Sequence, residues 1–247
     1  AASTCGVGVT RSGTGFVSLG TSGVLFTPSH GYEPAPETAL HTFCHAIPGL
    51  WHHMGVTLSA TDSLNWLSGI TGARPADLTA SLGETLRAPG PVRFLPYLSG
   101  ERTPHNDAVI RGAFTGLGSG TTRDDMTRAV LEGVAFGLRD SHQALKETGA
   151  RLDRMMAIGG GARSRYWLRV IATTLDVTLT LPADGEFGAA LGAARLGMVA
   201  AGAGSMAQIM TAPDMVEEIA PDATLRDDFE AAYHAFRAAY PAIRGAQ

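Results

Sequence analysis

The chain has 247 residues, 45% of them hydrophobic and 17% charged, with a net charge of −4 and no long run of either sign. Its length fits one large domain or one half of a two-domain protein. The charge balance argues against a disordered tail or a nucleic-acid partner, and no uninterrupted apolar run is long enough to span a membrane. Cys5 and Cys44 are isolated thiols rather than a disulfide framework. With no secretory leader read at the start, a reducing cytoplasm is the expected location. The chain opens on Ala1-Ala2-Ser3-Thr4 without an initiator methionine, as if begun inside an element, and a fragment is expected.

Residues 1–10 end in Gly6-Val7-Gly8-Val9 and turn at 11–15. Residues 16–19 and 24–27 are strand-like runs flanking Gly20-Thr21-Ser22-Gly23, which predicts a hairpin. Its tip offers amides and two hydroxyls without bulk, which suits a phosphate chain; an ordinary turn built of turn residues is the alternative. No Gly-Lys-Ser/Thr follows, so it is not a Walker loop. Val24 stands where a nucleophile elbow needs glycine. Residues 28–40 read as a Pro-rich loop. His41, Cys44, His45, His52 and His53 gather around Trp51, and these residue types ligate zinc. They fall, however, on a strand–turn–strand pattern with its turn at Pro48-Gly49 and no ligand spacing, so a polar sheet face is expected.

Residues 59–70 predict a helix capped by Ser59 or Thr61, with Leu64 and Leu67 inward. Residues 76–87 predict a second helix, and 92–97 a strand entering the polar loop 100–107. Glu101, His105 and Asp107 in that loop suit acid–base chemistry, but solvation or internal pairing is the expected use of loop charges. Residues 122–148 form the longest helical pattern. Met126, Ala129, Val130, Gly133, Val134 and Gly137 give it a small-residue face suited to lying flat on a sheet.

The stretch 154–202 organises the chain. Residues 155–158 read as a buried strand that stops at Gly159-Gly160-Gly161. Ser164 then suits the N-cap of a helix with Trp167, Val170, Ile171, Thr174 and Leu175 on one face. Val177, Leu179 and Leu181 alternate with Thr178 and Thr180 as a strand does, and a Gly/Ala-rich helix is expected from near Glu186. Strand, glycine turn, helix, strand and helix predict a crossover unit in a largely parallel sheet. A glycine turn at a helix mouth lets backbone approach a ligand where amides converge; a tight turn without a ligand is the alternative. Residues 206–210 predict a short helix. Residues 225–240 predict an amphipathic one through Phe229, Ala232, Tyr233, Phe236 and Tyr240.

Gly112-Ala113-Phe114-Thr115-Gly116-Leu117 and, after seven residues, Asp125-Met126-Thr127-Arg128-Ala129-Val130-Leu131-Glu132 make a long spaced pattern. It resembles the second signature of the FGGY carbohydrate kinases at every constrained position. The order of SLGTSGVLF, WHHMGVTLSATDSLNW, PYLSGERTPH, that signature and IGGGARSRYW is most similar to the xylulokinase branch of that family. The resemblance covers nearly the whole chain but only the C-terminal half of such an enzyme.

The resemblance implies an α/β, actin-like (ribonuclease H-like) ATPase fold with a mixed sheet, hairpin strands and helices on both faces. Residues 1–247 would be the nucleotide-binding C-terminal lobe, with the sugar-binding lobe outside this chain. It further implies that Gly20, Thr21, Ser22 and Gly23 meet the β- and γ-phosphates of ATP. Gly160, Gly161 and Ala162 would approach the α-phosphate and ribose, with Arg165 one helical position on. Ala60, Thr61 and Asn65 would lie beside the adenosine. Thr61 stands where the family often has glycine, narrowing the pocket, and Thr173 and Asp176 stand where Asp and Gly are frequent. The family's catalytic Asp sits in a Gly-Gly-Asp run about two positions before the residue matching Ala1. No catalytic residue or metal ligand is therefore assigned in this chain, which is expected to be inactive alone. The implied reaction transfers the γ-phosphoryl of ATP, with Mg²⁺, to D-xylulose. Another FGGY kinase (ribulose, glycerol or gluconate) and a non-catalytic nucleotide-binding module are the alternatives. ATP/ADP and a pentulose are the implied partners, with no nucleic acid or membrane, and a homodimer is the family expectation.

Overall fold

The computed structural model describes residues 2–183 and 188–246. A short buried helix, α1 (Ala2–Gly6), leads into the hairpin β1 (Phe16–Leu19) and β2 (Gly23–Ser29), then β3 (His41–Cys44) and β4 (Trp51–Thr57). Next come α2 (Thr61–Thr71), α3 (Pro75–Ala80), the ribbon β5 (Arg93–Leu95) and β6 (Ala113–Thr115), and the long α4 (Arg123–Glu147). The crossover is β7 (Arg154–Ile158), α5 (Arg165–Leu175) and β8 (Thr178–Pro182). The chain finishes with α6 (Ala189–Ala200), α7 (Met206–Ile209), β9 (Met215–Ile219) and α8 (Arg226–Arg244).

One sheet of seven strands runs β3-β4-β2-β1-β7-β8-β9 among the described residues. β1 pairs antiparallel with β2 and parallel with β7, and β7 pairs parallel with β8. The alternation of side chains sorts the sheet into two faces. Val17, Leu19, Leu25, Met155, Ala157 and Leu179 join the large core with α4, α5 and α8. Phe16, Phe26, Met156 and Ile158 form a smaller core with Val7 and Val9, and Phe16 stacks on Phe26 at 5.0 Å.

α4 is buried on every side from Ala129 to Leu138, not only along the small-residue face expected of it. A helix apolar all round belongs in a core, and this one is enclosed by β4, β5 and α5. Its start carries a capping box of Thr122 and Asp125. The indole of Trp167 donates to the Leu131 carbonyl at 3.0 Å, tying α5 to α4.

α8 docks through buried carboxylates as well as Phe229, Tyr233 and Phe236. Tyr233 donates to Asp140 at 2.6 Å, and Arg244 and Tyr240 donate to Asp107 at 2.6 and 2.9 Å. Burial pushes Asp140 up to about 6. Burial also raises Asp107, but the Ile110 and Val109 amides, Tyr240 and Arg244 more than offset it and hold it at about 2. Asp176 occupies the left-handed C-cap of α5 with φ 55° and pairs with Arg226, while Thr173 accepts from the Asp222 amide.

Several elements differ from the sequence expectation. The helix expected over 76–87 starts at Pro75 and stops at Ala80, because Gly83 takes a left-handed φ of 73° and proline follows at 89 and 91. The strand expected over 92–97 is only Arg93–Leu95. β6 and β9 are additional. The expected helix start near Glu186 lies outside the described residues, and α6 is described from Ala189.

Candidate functional site

The hairpin tip and α2 are built as one unit. Gly23 needs to be glycine for packing, since a Cβ there would sit 2.6 Å from Thr57 Cγ2 and 3.0 Å from Leu138 Cδ2. The Ala60 and Thr61 amides donate to the Thr21 and Gly20 carbonyls at 2.7 and 2.9 Å. The Thr61 hydroxyl adds a bond to the Gly20 carbonyl at 2.8 Å. The N-cap is therefore Ala60, with no side-chain cap from Ser59 or Thr61. The hairpin's carbonyls satisfy amides that a cap would otherwise take. Thr21 is left exposed and Ser22 half-buried at the tip.

The glycine turn after β7 separates into two roles. A Cβ on Gly159 (φ 89°) would lie 2.8 Å from the Leu19 carbonyl, and one on Gly161 would lie 2.8 Å from Leu19 Cβ and 3.2 Å from Thr61 Cγ2. These two glycines let the turn cross the end of β1. Gly160 is exposed, and a Cβ there would meet nothing within 4 Å. Ser164 caps α5 by accepting from the Trp167 amide at 3.3 Å, as its position predicts.

Between α2, α3 and this turn lies a cleft of about 540 Å³. Thr61 and Asn65 line one side, Ala76 and Thr79 the other, and Gly160 and Gly161 the end. The expected site residues Thr61, Asn65, Gly160 and Gly161 thus converge. Ala60 and Ala162 are buried behind the wall, and Gly20–Gly23 lie outside the lining, tied to it by the Thr61 bond to the Gly20 carbonyl. Arg165 is engaged elsewhere, pairing with Glu217 of β9 at 2.7 Å. The wall from Pro75 to Thr79 was not anticipated as part of the site; its sequence reads only as a helix start. A mostly apolar slot with a few converging polar groups is the usual form of a small-molecule site.

Glu101 stands behind this unit. It is 2% exposed and accepts from Thr57 Oγ1 at 2.6 Å, the Leu58 amide at 3.0 Å and the Arg102 amide at 2.7 Å. Thr57 is the register partner of Gly23, so Glu101 fixes the strand end on which the hairpin rests. The loop charges are internally paired: Asp107 with Arg244, and His105 with Tyr97. Burial raises Glu101 to about 7 despite its three donors. The folded chain therefore retains a proton that the unfolded chain has lost, and stability falls as pH rises between about 4.5 and 7. Glu101→Gln keeps the shape but cannot ionise. It is expected to remove about 3 kcal/mol of that loss, read as a flatter urea-unfolding stability from pH 5 to 8. Equal pH slopes in both proteins would contradict this.

The histidine group is split between the two sheet faces. His52 stacks on Phe26 at 4.6 Å, whereas His53 bonds Thr148 on the α4 side. Among the described residues no group of three His, Cys, Asp or Glu side chains is placed to hold a metal ion.

The profile of the FGGY family of carbohydrate kinases, C-terminal domain, matches residues 15–201. A xylulose kinase of Escherichia coli (strain K12) is 40% identical over 243 residues, covering 97% of this chain and 50% of that protein. One from Klebsiella pneumoniae is 43% identical over 201 residues, covering 81% and 41%. A gluconokinase of Bacillus subtilis (strain 168) is 30% identical over 215 residues, covering 81% and 41%. A crystal structure described as a xyloylose kinase from Brucella ovis superposes with a TM-score of 0.95 at 52% identity, covering 100% of this chain and 51% of that one. A xylulose kinase from Rhodospirillum rubrum gives 0.85 at 29%, covering 99% and 50%. The chain spans about half the length of the curated relatives it matches. The expected actin-like α/β fold with a mixed sheet is borne out by these structures.

Proposed function

The chain belongs to the FGGY family of carbohydrate kinases, and we propose that it is the nucleotide-binding half of an ATP-dependent kinase acting on D-xylulose. The observation that carries this reading is the cleft in which Thr61, Asn65, Gly160 and Gly161 meet beside the hairpin tip. Adenosine lies between α2 and α3, with Thr61 and Asn65 along its edge and the buried Ala60 behind them. Gly160 and Gly161, backed by the buried Ala162, approach the ribose and α-phosphate, and Gly20, Thr21, Ser22 and Gly23 the outer phosphates. Arg165 reaches the nucleotide only by leaving Glu217.

Phosphoryl transfer asks mainly for positioning and charge stabilisation. The sugar oxygen bonds to the γ-phosphorus as the bond to ADP breaks, and a carboxylate takes the hydroxyl proton. That base and the sugar-reading groups belong to the part of the protein this chain does not span. Among the described residues the cleft lining carries no carboxylate, so those residues do not by themselves form a Mg²⁺ site. An ion would be held by the phosphates and by groups from elsewhere. Closure of the two halves would keep water from competing with the sugar.

The partner half is expected to cover α6, of which only Gly192 is buried while Leu191 and Met198 lie open. The 247-residue chain alone is therefore expected to associate and to bind a hydrophobic dye. A dye-silent monomer would contradict that. A cytoplasmic location and a homodimeric full-length enzyme belong to the same family reading. Among the described residues no helix is long and apolar enough to cross a membrane.

The test is a substrate panel on the full-length kinase with ATP. D-xylulose is expected to give the highest kcat/KM over D-ribulose, glycerol and gluconate. The 30% identity to a gluconokinase makes gluconate the sharpest competitor, and a preference for it would overturn the substrate. Robust sugar phosphorylation by the 247-residue chain alone would overturn the division of labour.

A further inference from the structure

Two hydroxyls in the lining of the cleft have their donor capacity committed within the protein. Thr61 gives its hydroxyl hydrogen to the Gly20 carbonyl at 2.8 Å, and Thr79 gives its own to the Ala76 carbonyl at 3.1 Å. A carbonyl only accepts, so the hydroxyl is the donor in both pairs. A hydroxyl has one hydrogen, and each Oγ1 is left with acceptor capacity alone. Both residues line the cleft.

The two stand on facing walls. Thr61 opens α2 beside the glycine turn, its Cγ2 3.2 Å from where a Cβ on Gly161 would lie. Thr79 belongs to α3 on the other side. Arg163 and Ser164 belong to the turn and the start of α5. Among the described residues, the α2 and α3 walls carry three polar side chains, Thr61, Asn65 and Thr79. Asn65 has both a donor and an acceptor on its amide and turns either one to a ligand. Asp77 of α3 is outside the lining and is held by Arg74 at 2.7 Å. Thr79 is therefore the polar group of fixed sense on the α3 wall.

Purine nucleotides differ in sense at the 6-position of the base. Adenine has an amino donor there, whereas guanine and hypoxanthine have an oxo acceptor. The Thr79 Oγ1 accepts from an amino group with its bond to Ala76 intact. An oxo group gains a bond only if the hydroxyl hydrogen leaves the Ala76 carbonyl, so one bond is given up for the one made. A site that hydrogen-bonds one group discriminates against the analogue lacking it.

We propose that Thr79 is a specificity-determining residue whose Oγ1 accepts from the 6-amino group, so that the cleft selects 6-aminopurine over 6-oxopurine nucleotides. This rests on the nucleotide reading of the cleft.

The test measures the affinities of ATP and ITP for the full-length kinase by calorimetric titration without sugar. ITP differs from ATP only in its 6-oxo group and the adjoining N1 proton. ITP is expected to bind about fivefold more weakly, the scale of one hydrogen bond. Thr79→Val, which keeps the shape and removes the hydroxyl, is expected to erase the difference by weakening ATP, while Thr79→Ser keeps it. Equal affinities in the parent, or an undiminished preference for ATP in Thr79→Val, would overturn the inference and leave the nucleotide reading standing. Failure of the parent to bind either nucleotide would overturn both.

Discussion

Gly161→Val is expected to lower the unfolding free energy by about 3 kcal/mol and to abolish ATP binding, whereas Gly160→Val should leave stability within about 0.5 kcal/mol of the parent and lose only the nucleotide. The two glycines are adjacent in sequence but not equivalent. A Cβ at 161 meets Leu19 Cβ at 2.8 Å, the Trp167 ring at 3.1 Å and Thr61 Cγ2 at 3.2 Å. Relieving that contact means lifting the glycine turn off β1, and with it the N-terminus of α5. A Cβ at 160 meets nothing within 4 Å, so its bulk enters the cleft instead. Thermal unfolding and ATP titration on both variants separate the effects. An equal loss of stability in the two would mean that the turn has no such division.

Gly133→Ala is expected to be as damaging to the fold, at about 3 kcal/mol or more, with no cleft residue touched. A Cβ at 133 would lie 2.1 Å from the Phe94 carbonyl oxygen. α4 is enclosed by α5 and the sheet and has little room to retreat. For a chain of this size that is a fall of roughly 6 to 12 °C in Tm. A Tm within about 2 °C of the parent would show that α4 and β5 can separate cheaply.

The sequence was most legible where local pattern and tertiary structure agree. The hairpin at Gly20-Thr21-Ser22-Gly23, the crossover around Gly159-Gly160-Gly161, the Ser164 cap and the helix over 122–148 all stand where expected. It was least legible where long-range contacts override local preference. Ser59 and Thr61 look like caps, yet the Thr61 and Asp62 amides that Ser59 would satisfy are taken by hairpin carbonyls some forty residues earlier, and the Thr61 hydroxyl is spent on the Gly20 carbonyl. β6 is three residues long and β9 lies at the sheet edge with Glu217 and Glu218, so neither has a strong alternating signal.

The site divides in the same way. Glycine turns mark where backbone approaches a ligand, so the Gly160–Gly161 end of the cleft was visible. The wall from Pro75 to Thr79 becomes a wall only because α3 folds back beside α2. The family resemblance, not the turn itself, implies a nucleotide contact at Arg165, and the unanticipated β9 brings Glu217 to it. The burial of Glu101 could not be inferred from a loop of charged residues, since it depends on Thr57 and Leu58 of another segment.

The central claim is that the cleft between α2, α3 and the glycine turn receives ATP, and photoaffinity labelling of the chain with 8-azido-ATP followed by peptide mapping tests it most directly. Labelling is expected in the peptides spanning residues 61–80 and 159–167, and it should be lost with excess unlabelled ATP. Labelling that ATP does not compete, or that falls outside both peptides, would contradict it.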